Sequence, residues 1–182
     1  MYIDKKKLLY IHGYGSNRQS AKYREIKNYF EHIYDCNIME WQEDSIISLL
    51  LSNTVKQFKN CEELIIIGDS TGANFAFQLK ELRQNEEDIL ILMSPLLNIE
   101  QKNFDILFPI TLSAQIKKMV PSKNSLIIAS RTDEVLNQSI LFDENTSQSF
   151  TLLEVNDSHC LENFRKYLPA IRAFILNQYF KS

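Results

Sequence analysis

Apolar residues recur along the chain in six short runs: Lys7 to His12, Ile33 to Met39, Leu64 to Gly68, Ile89 to Met93, Ser125 to Ser130 and Phe150 to Val155. Two of these, Leu64-Ile65-Ile66-Ile67 and Ile89-Leu90-Ile91-Leu92-Met93, are continuously apolar, the pattern of parallel strands covered on both faces. Between the runs the period lengthens to that of a helix. Tyr23, Ile26, Phe30 and Ile33 share one face, and Ile46, Leu49, Leu50 and Phe58 share another. From about Leu161 a last helix carries Phe164, Leu168, Ile171, Phe174, Ile175 and Phe180 on or near one face, with Pro169 expected to kink or divide it. Alternating strand and helix predict an α/β sandwich with right-handed crossovers and its functional groups at the carboxyl ends of the strands. No repeat, low-complexity tract or linker divides the sequence, so residues 1–182 are expected to form one domain.

Composition narrows the classes without naming one. At 182 residues, 45% hydrophobic and 24% charged, the chain reads as globular, which excludes disorder and collagen-like structure. The formal net charge of -3 leaves no overall electrostatic footprint for nucleic acid. No apolar run approaches the roughly 18 residues that would cross a bilayer, and the start lacks a signal-peptide pattern, so a cytoplasmic protein without membrane insertion is expected. Cys36, Cys61 and Cys160 are odd in number and widely spaced, fitting neither a disulfide framework nor a zinc motif. They are expected to be buried thiols.

The four glycines sit in two places: Gly13 and Gly15 after the first strand, Gly68 and Gly72 around the end of the third. Gly68-Asp69-Ser70-Thr71-Gly72 is a G-x-S-x-G between an apolar strand and a helical run, the context of a nucleophile elbow. A chain of this composition would contain that pattern by chance roughly 0.008 times. In such a turn the serine hydroxyl is held exposed in a strained conformation, and side chains two residues to either side would collide. Ala73 and Ala76 suit close helix packing. The plainer alternative is that Ser70 caps the following helix.

A serine hydroxyl needs a general base in reach and a third group to orient the base. Of three histidines, His159 lies in the turn Asn156-Asp157-Ser158-His159 after the last strand, at the correct edge of the sheet. His12 is expected to hold the Gly13 to Gly15 loop by hydrogen bonds, and His32 to lie on the surface. Arg131-Thr132-Asp133-Glu134 follows the fifth strand, and Asp133 is the better acid because Glu134 would point elsewhere at the start of the next helix. Asp157 is expected to shape the turn of His159. The order Ser70, Asp133, His159 is that of the α/β-hydrolase triad. Backbone N–H groups of Thr71 and Tyr14 are the candidate oxyanion donors. A dinucleotide site is disfavoured, since the third glycine of G-x-G-x-x-G would fall at Arg18.

The chain resembles, over essentially its whole length, the small α/β-hydrolase-fold esterases of the YqiA/YcfP family. The carriers are Leu9-Tyr10-Ile11-His12-Gly13-Tyr14-Gly15-Ser16, the Gly68 to Gly72 turn, Thr132-Asp133-Glu134-Val135-Leu136, and Ser158-His159 before a Phe-containing helix. The resemblance implies Ser70, Asp133 and His159 as nucleophile, acid and base, and six mainly parallel strands in the order 2-1-3-4-5-6. It also implies small-molecule acyl ester substrates, while thioesterase or peptidase activity is left open by the sequence. Asp69 beside the serine departs from relatives and would alter protonation of His159 if its side chain faced the site.

Residues 96–121 carry Leu96, Leu97, Phe104, Leu107, Phe108, Pro109, Ile110 and Leu112 after a strand end. They are expected either to form a small cap and acyl-binding wall or to pack on the sheet. Lys117 and Lys118 would attract an anionic head group or lie on a solvated face. The expected function is a serine hydrolase acting through an acyl-enzyme, with no cofactor and no metal required. The alternative is a non-catalytic protein that keeps the fold as a binding module.

Overall fold

The central apolar runs lack the polar alternation that would let one face meet water, whereas Asp35–Met39 and Thr151–Val155 keep exposed polar positions that suit the edges of a sheet. The computed structural model describes residues 6–101, 108–120, 124–143 and 150–179. Its elements are Lys7–Ile11 (β1), Ala21–Phe30 (α1), Asp35–Met39 (β2), Ile47–Gln57 (α2), Leu64–Asp69 (β3), Thr71–Arg83 (α3), Ile89–Met93 (β4), Ile110–Ser113 (α4), Ser125–Ser130 (β5), Thr151–Val155 (β6) and Leu168–Tyr179 (α5). The sheet runs β2-β1-β3-β4-β5-β6 with every neighbouring pair parallel.

Alternate residues of each central strand serve opposite layers, so the sheet is covered on both sides. Leu9, Ile11, Leu64, Ile66, Leu90, Leu92 and Ile127 pack with Ile47 and Leu51 of α2 and with Phe75, Ala76 and Leu79 of α3. Leu8, Tyr10, Ile65, Ile67, Ile91 and Ile128 pack with Ile26 and Phe30 of α1 and with Ile171, Phe174 and Ile175 of α5. β1 leads away toward β2, whereas β3 leads toward β4 on its other side. The carboxyl ends of β1 and β3 therefore flank the crevice where the strand order reverses, the usual ligand site of an open α/β sheet. No described helix is long and apolar enough to cross a membrane.

Four sequence expectations are corrected here. Ile46 and Leu49 are 63% and 55% exposed, and the buried stripe of α2 is Ile47, Leu51 and Thr54, continued by Phe58. The apolar cluster Ile46 to Leu51 offers two helical faces, and contact with α3 selects one. Pro169 neither kinks nor divides a helix from Leu161. It stands in the first turn of α5, where its missing N–H is no loss, and Phe164–Tyr167 form a separate 3-10 turn. Phe180 lies outside the described residues. Ile33 lies in the turn between α1 and β2 rather than in either element. Cys160 is exposed, and Cys36 and Cys61 are only half-buried.

Candidate active site

Ser70 follows the last residue of β3 with φ 53° and ψ -115°, a conformation that costs a side-chain-bearing residue about 1–3 kcal/mol. Surrounding bonds hold it there. Its N–H donates to Met93 O at 2.8 Å, and its carbonyl accepts from Ala73 N–H at 3.0 Å and Leu96 N–H at 3.2 Å. The flanking glycines make room for the turn. A Cβ at Gly68 would sit 2.5 Å from Ala73 Cα, and one at Gly72 would overlap the carbonyl oxygens of Ile11 and His12. The first turn of α3 thus lies directly against the end of β1.

His159 is carried by a turn organised by Asp157. That carboxylate accepts from the N–H groups of Ser158 at 2.9 Å, Glu162 at 3.1 Å and Asn163 at 3.0 Å, and from the Tyr167 hydroxyl at 2.8 Å. Burial pushes the Asp157 carboxyl up, but the Tyr167 and backbone bonds outweigh it and leave the group below the usual carboxylate range. His159 itself is gripped at both ends of its backbone. Its N–H donates to Glu134 Oε2 at 3.0 Å, and its carbonyl accepts from Ser94 Oγ at 2.9 Å.

With the backbone fixed, the imidazole bridges two other strands. Nδ1 lies 2.8 Å from Asp133 Oδ2 and Nε2 lies 3.0 Å from Ser70 Oγ. The second Asp133 oxygen accepts from Val135 N–H at 2.9 Å and Leu136 N–H at 2.8 Å. Burial pushes the Asp133 carboxyl up, and the His159 and backbone bonds together bring it below its ordinary value. An ionised Asp133 takes the Nδ1 proton as a hydrogen bond, which leaves the Nε2 lone pair for the serine O–H.

Beside Ser70 lies the glycine loop after β1, close enough that a Cβ at Gly13 would be 3.3 Å from Ser70 Cβ. His12 locks this loop. Its Nδ1–H donates to Gly13 O at 2.9 Å, its Nε2 accepts from Trp41 N–H at 3.3 Å, and its ring stacks on the Trp41 indole at 5.3 Å. Desolvation pushes the His12 imidazole below its ordinary value, in keeping with a neutral ring that donates at one nitrogen and accepts at the other. Ser16 N–H also donates to Gly13 O, at 3.2 Å. In a trans peptide the carbonyl and the following N–H point opposite ways, so fixing Gly13 O aims Tyr14 N–H away from His12. Among the described residues, neither Tyr14 N–H nor Thr71 N–H has a hydrogen-bond partner. The Tyr14 ring lies 5.1 Å from Phe108, and its hydroxyl donates to Glu43 at 2.7 Å.

The sequence-derived candidates therefore converge at one crevice: Ser70, Asp133 and His159 in a hydrogen-bonded row, with the loop of His12, Gly13, Tyr14 and Gly15 alongside. Asp69 does not join them. Its carboxylate turns to α1, where Lys22 Nζ donates to both oxygens at 2.7 and 2.8 Å and Tyr10 donates at 3.4 Å. Glu134 starts no helix; among the described residues the chain continues in turns to a 3-10 turn at Ser139–Phe142, leaving Glu134 to hold His159 N–H. His32 is exposed. Of the expected wall, Leu96, Leu97 and Leu112 are buried, Phe108 packs on Tyr14, Ile110 is 88% exposed, and Phe104, Leu107 and Pro121 lie outside the described residues. Lys117 and Lys118 are exposed. Ser94 and Gln138 carried no sequence signal beyond their place after β4 and β5.

His12, Asp133 and Asp157 make stability fall on the acid side. Each has its folded value below the ordinary one, so the unfolded chain binds the extra proton first. The His12 contribution is full above about pH 6.5 and is lost as pH falls through its folded value; the carboxylates do the same below about pH 4. Urea midpoints measured from pH 8 to pH 3 are expected to decline in these two steps, and a His12→Phe variant to lack the upper one.

Solved structures share the fold at low identity. Est1E from Butyrivibrio proteoclasticus is 16% identical with a TM-score of 0.73, covering 97% of this chain and 89% of that one. A lipase-esterase related protein from Clostridium acetobutylicum is 14% identical with a TM-score of 0.70, covering 93% and 94%. The mouse alpha/beta hydrolase domain-containing protein 10 is 10% identical with a TM-score of 0.67, covering 95% and 90%. No curated protein sequence matches the chain. Residues 7–107, more than half of the chain and including the Ser70 turn, match the sequence profile of the Uncharacterised protein family UPF0227, so the chain belongs to that family, the one its motifs resemble.

Proposed function

We propose that this chain is a serine hydrolase that cleaves small carboxylic esters or acyl thioesters through an acyl-enzyme on Ser70. The observation that carries this reading is the row Asp133, His159, Ser70, with contacts of 2.8 and 3.0 Å, beside two backbone N–H groups that have no partner among the described residues. His159 Nε2 takes the Ser70 proton as Oγ attacks the acyl carbon. Thr71 and Tyr14 N–H stabilise the oxyanion, and the imidazolium, held by Asp133, gives its proton to the leaving oxygen or sulfur. Water, deprotonated by the same imidazole, then attacks the acyl carbon and restores Ser70. His12, Gly13, Gly15, Gly68 and Gly72 support the two loops that bear the donors.

Residues 96–121 act in this reading as a small cap on a single domain. Its described part is tied to α3 through Asn74, which donates to Leu96 O at 2.9 Å and Lys117 O at 2.8 Å. Est1E, one of the structural neighbours, is known with ferulic acid bound, which fits a small acyl substrate here. The test is mass-spectrometric mapping of a fluorophosphonate on the folded chain. Modification at Ser70, abolished in Ser70→Ala, is expected; a folded chain left unmodified by reagents of several sizes would assign it to the non-catalytic binding proteins instead.

A further inference from the structure

Behind the acid lies a chain of buried side-chain amides outside the row of three. Gln138, 3% exposed, directs Nε2 to Asp133 Oδ2 at 3.3 Å and to Pro95 O at 3.3 Å. Its Oε1 accepts from Gln101 Nε2 at 3.3 Å. Gln101, 8% exposed, also donates to Asn137 O at 2.7 Å and accepts from Leu97 N–H at 2.7 Å through Oε1, and its own carbonyl accepts from Asn137 N–H at 2.8 Å. Burying a glutamine costs free energy unless its amide is paired, and a leucine or methionine would fill the same space without that demand. One of the Gln138 donor bonds goes to the Asp133 oxygen that also faces His159 Nδ1.

We infer that Gln138 is a positioning residue for the acid, and that Gln101, at the end of the 3-10 turn Ile99–Gln101 after β4, positions Gln138. The inference rests on the serine-hydrolase reading of Ser70, His159 and Asp133. Two backbone N–H groups pin Oδ1, and Oδ2 must keep its pairing with His159 Nδ1 through each change of proton at Nε2. The Gln138 amide gives Oδ2 a further fixed donor, so that the oxygen stays in line with Nδ1 while the imidazole gains and loses its Nε2 proton. It does not touch the reacting atoms. Its effect belongs on the rate of serine attack rather than on substrate binding.

Saturation kinetics of fluorophosphonate inactivation separate the two, giving a limiting rate and a half-saturation constant. Gln138→Met, which keeps the volume and loses the donor, is expected to lower the limiting rate about tenfold with the half-saturation constant within about twofold, since one hydrogen bond to a charged group is at stake. Gln101→Met is expected to lose about threefold. The double variant should be no slower than Gln138→Met alone, because Gln101 acts through Gln138. Gln138→Glu sets a second carboxylate against Asp133; Arg131 lines the same hollow, Glu134 of the same loop is engaged with His159 N–H, His159 lies on the facing turn, and the 95–101 segment opposite contributes Pro95 O and the Gln101 amide, with its one charged residue, Glu100, exposed. That variant should be the slowest at pH 8 and approach the wild type toward pH 5, where a shared proton restores a donor. An unchanged limiting rate in Gln138→Met, an effect confined to the half-saturation constant, or additive losses in the double variant would each overturn the inference. If the wild type itself proves inert to the reagent, the hydrolase reading fails first. The low-field proton resonance of His159 Nδ1–H then decides the positioning alone: it should shift or broaden in Gln138→Met, and an unaltered resonance overturns it.

Discussion

Ser70→Ala and His159→Ala are each expected to slow hydrolysis of a p-nitrophenyl ester by about 10⁴- to 10⁶-fold, and the double variant is expected to be no slower than either single one. The reason, on the proposed mechanism, is that neither group acts alone. Without His159 Nε2 at 3.0 Å the serine keeps its proton, and without Ser70 the imidazole has nothing to activate except water. Asp133→Asn should lose about 10⁴-fold with little change in fold, since an asparagine N–H turned toward Nδ1 favours the tautomer that places the proton on Nε2. The residual rate over water measures what Thr71 and Tyr14 N–H still supply. Steady-state rates of the three single variants and the double variant make the check; multiplicative losses in Ser70→Ala/His159→Ala would mean that the two side chains do not form one unit.

Gly72→Ala is expected to destabilise the fold by about 3 kcal/mol or more, a large part of the roughly 5–15 kcal/mol that holds a domain together. Its Cβ would overlap two backbone carbonyl oxygens, those of Ile11 and His12, and neither can rotate aside as a side chain would. Relief requires that α3 move off the sheet or that β1 end earlier, and either change breaks the packing of Phe75 and Ala76. Gly15 offers the contrast. Its φ of +73° disfavours any side chain, yet nothing lies within 4 Å of the added carbon, so Gly15→Ala should cost only about 1–2 kcal/mol. Urea unfolding of the two variants distinguishes a collision from a conformational preference; equal losses would refute the packing explanation.

Much of the architecture was legible because parallel strands with two buried faces must be apolar throughout. Ile89–Met93 and Ser125–Ser130 coincide with their sequence runs, and the other strands differ by one or two residues at an end. The glycines were legible for a local reason: Gly68 and Gly72 answer collisions within one strand-turn-helix unit and against the strand beside it. The buried face of α2 was not. Ile46 to Leu51 is apolar on more than one side, and only α3 and the sheet select Ile47 and Leu51.

The candidate side chains divide along the same line. From the sequence alone came the alternation of elements and the naming of Ser70, Asp133 and His159, because a strand end, a glycine turn and a residue type can be read locally. The direction of each side chain could not. Asp69 turns to Lys22, Glu134 takes the backbone N–H of His159, Ser94 takes its carbonyl, and Gln138 reaches Asp133. The two contacts to the His159 backbone join residues 25 and 65 positions apart and exist only once β4, β5 and β6 lie side by side and bring their carboxyl ends to one edge, the Asp69 contact reaches 47 positions back to α1, and the Gln138 contact is set by the folding of the loop after β5. Local chemistry determined which residues stand at that edge, and the packing of the sheet decided which of them meet.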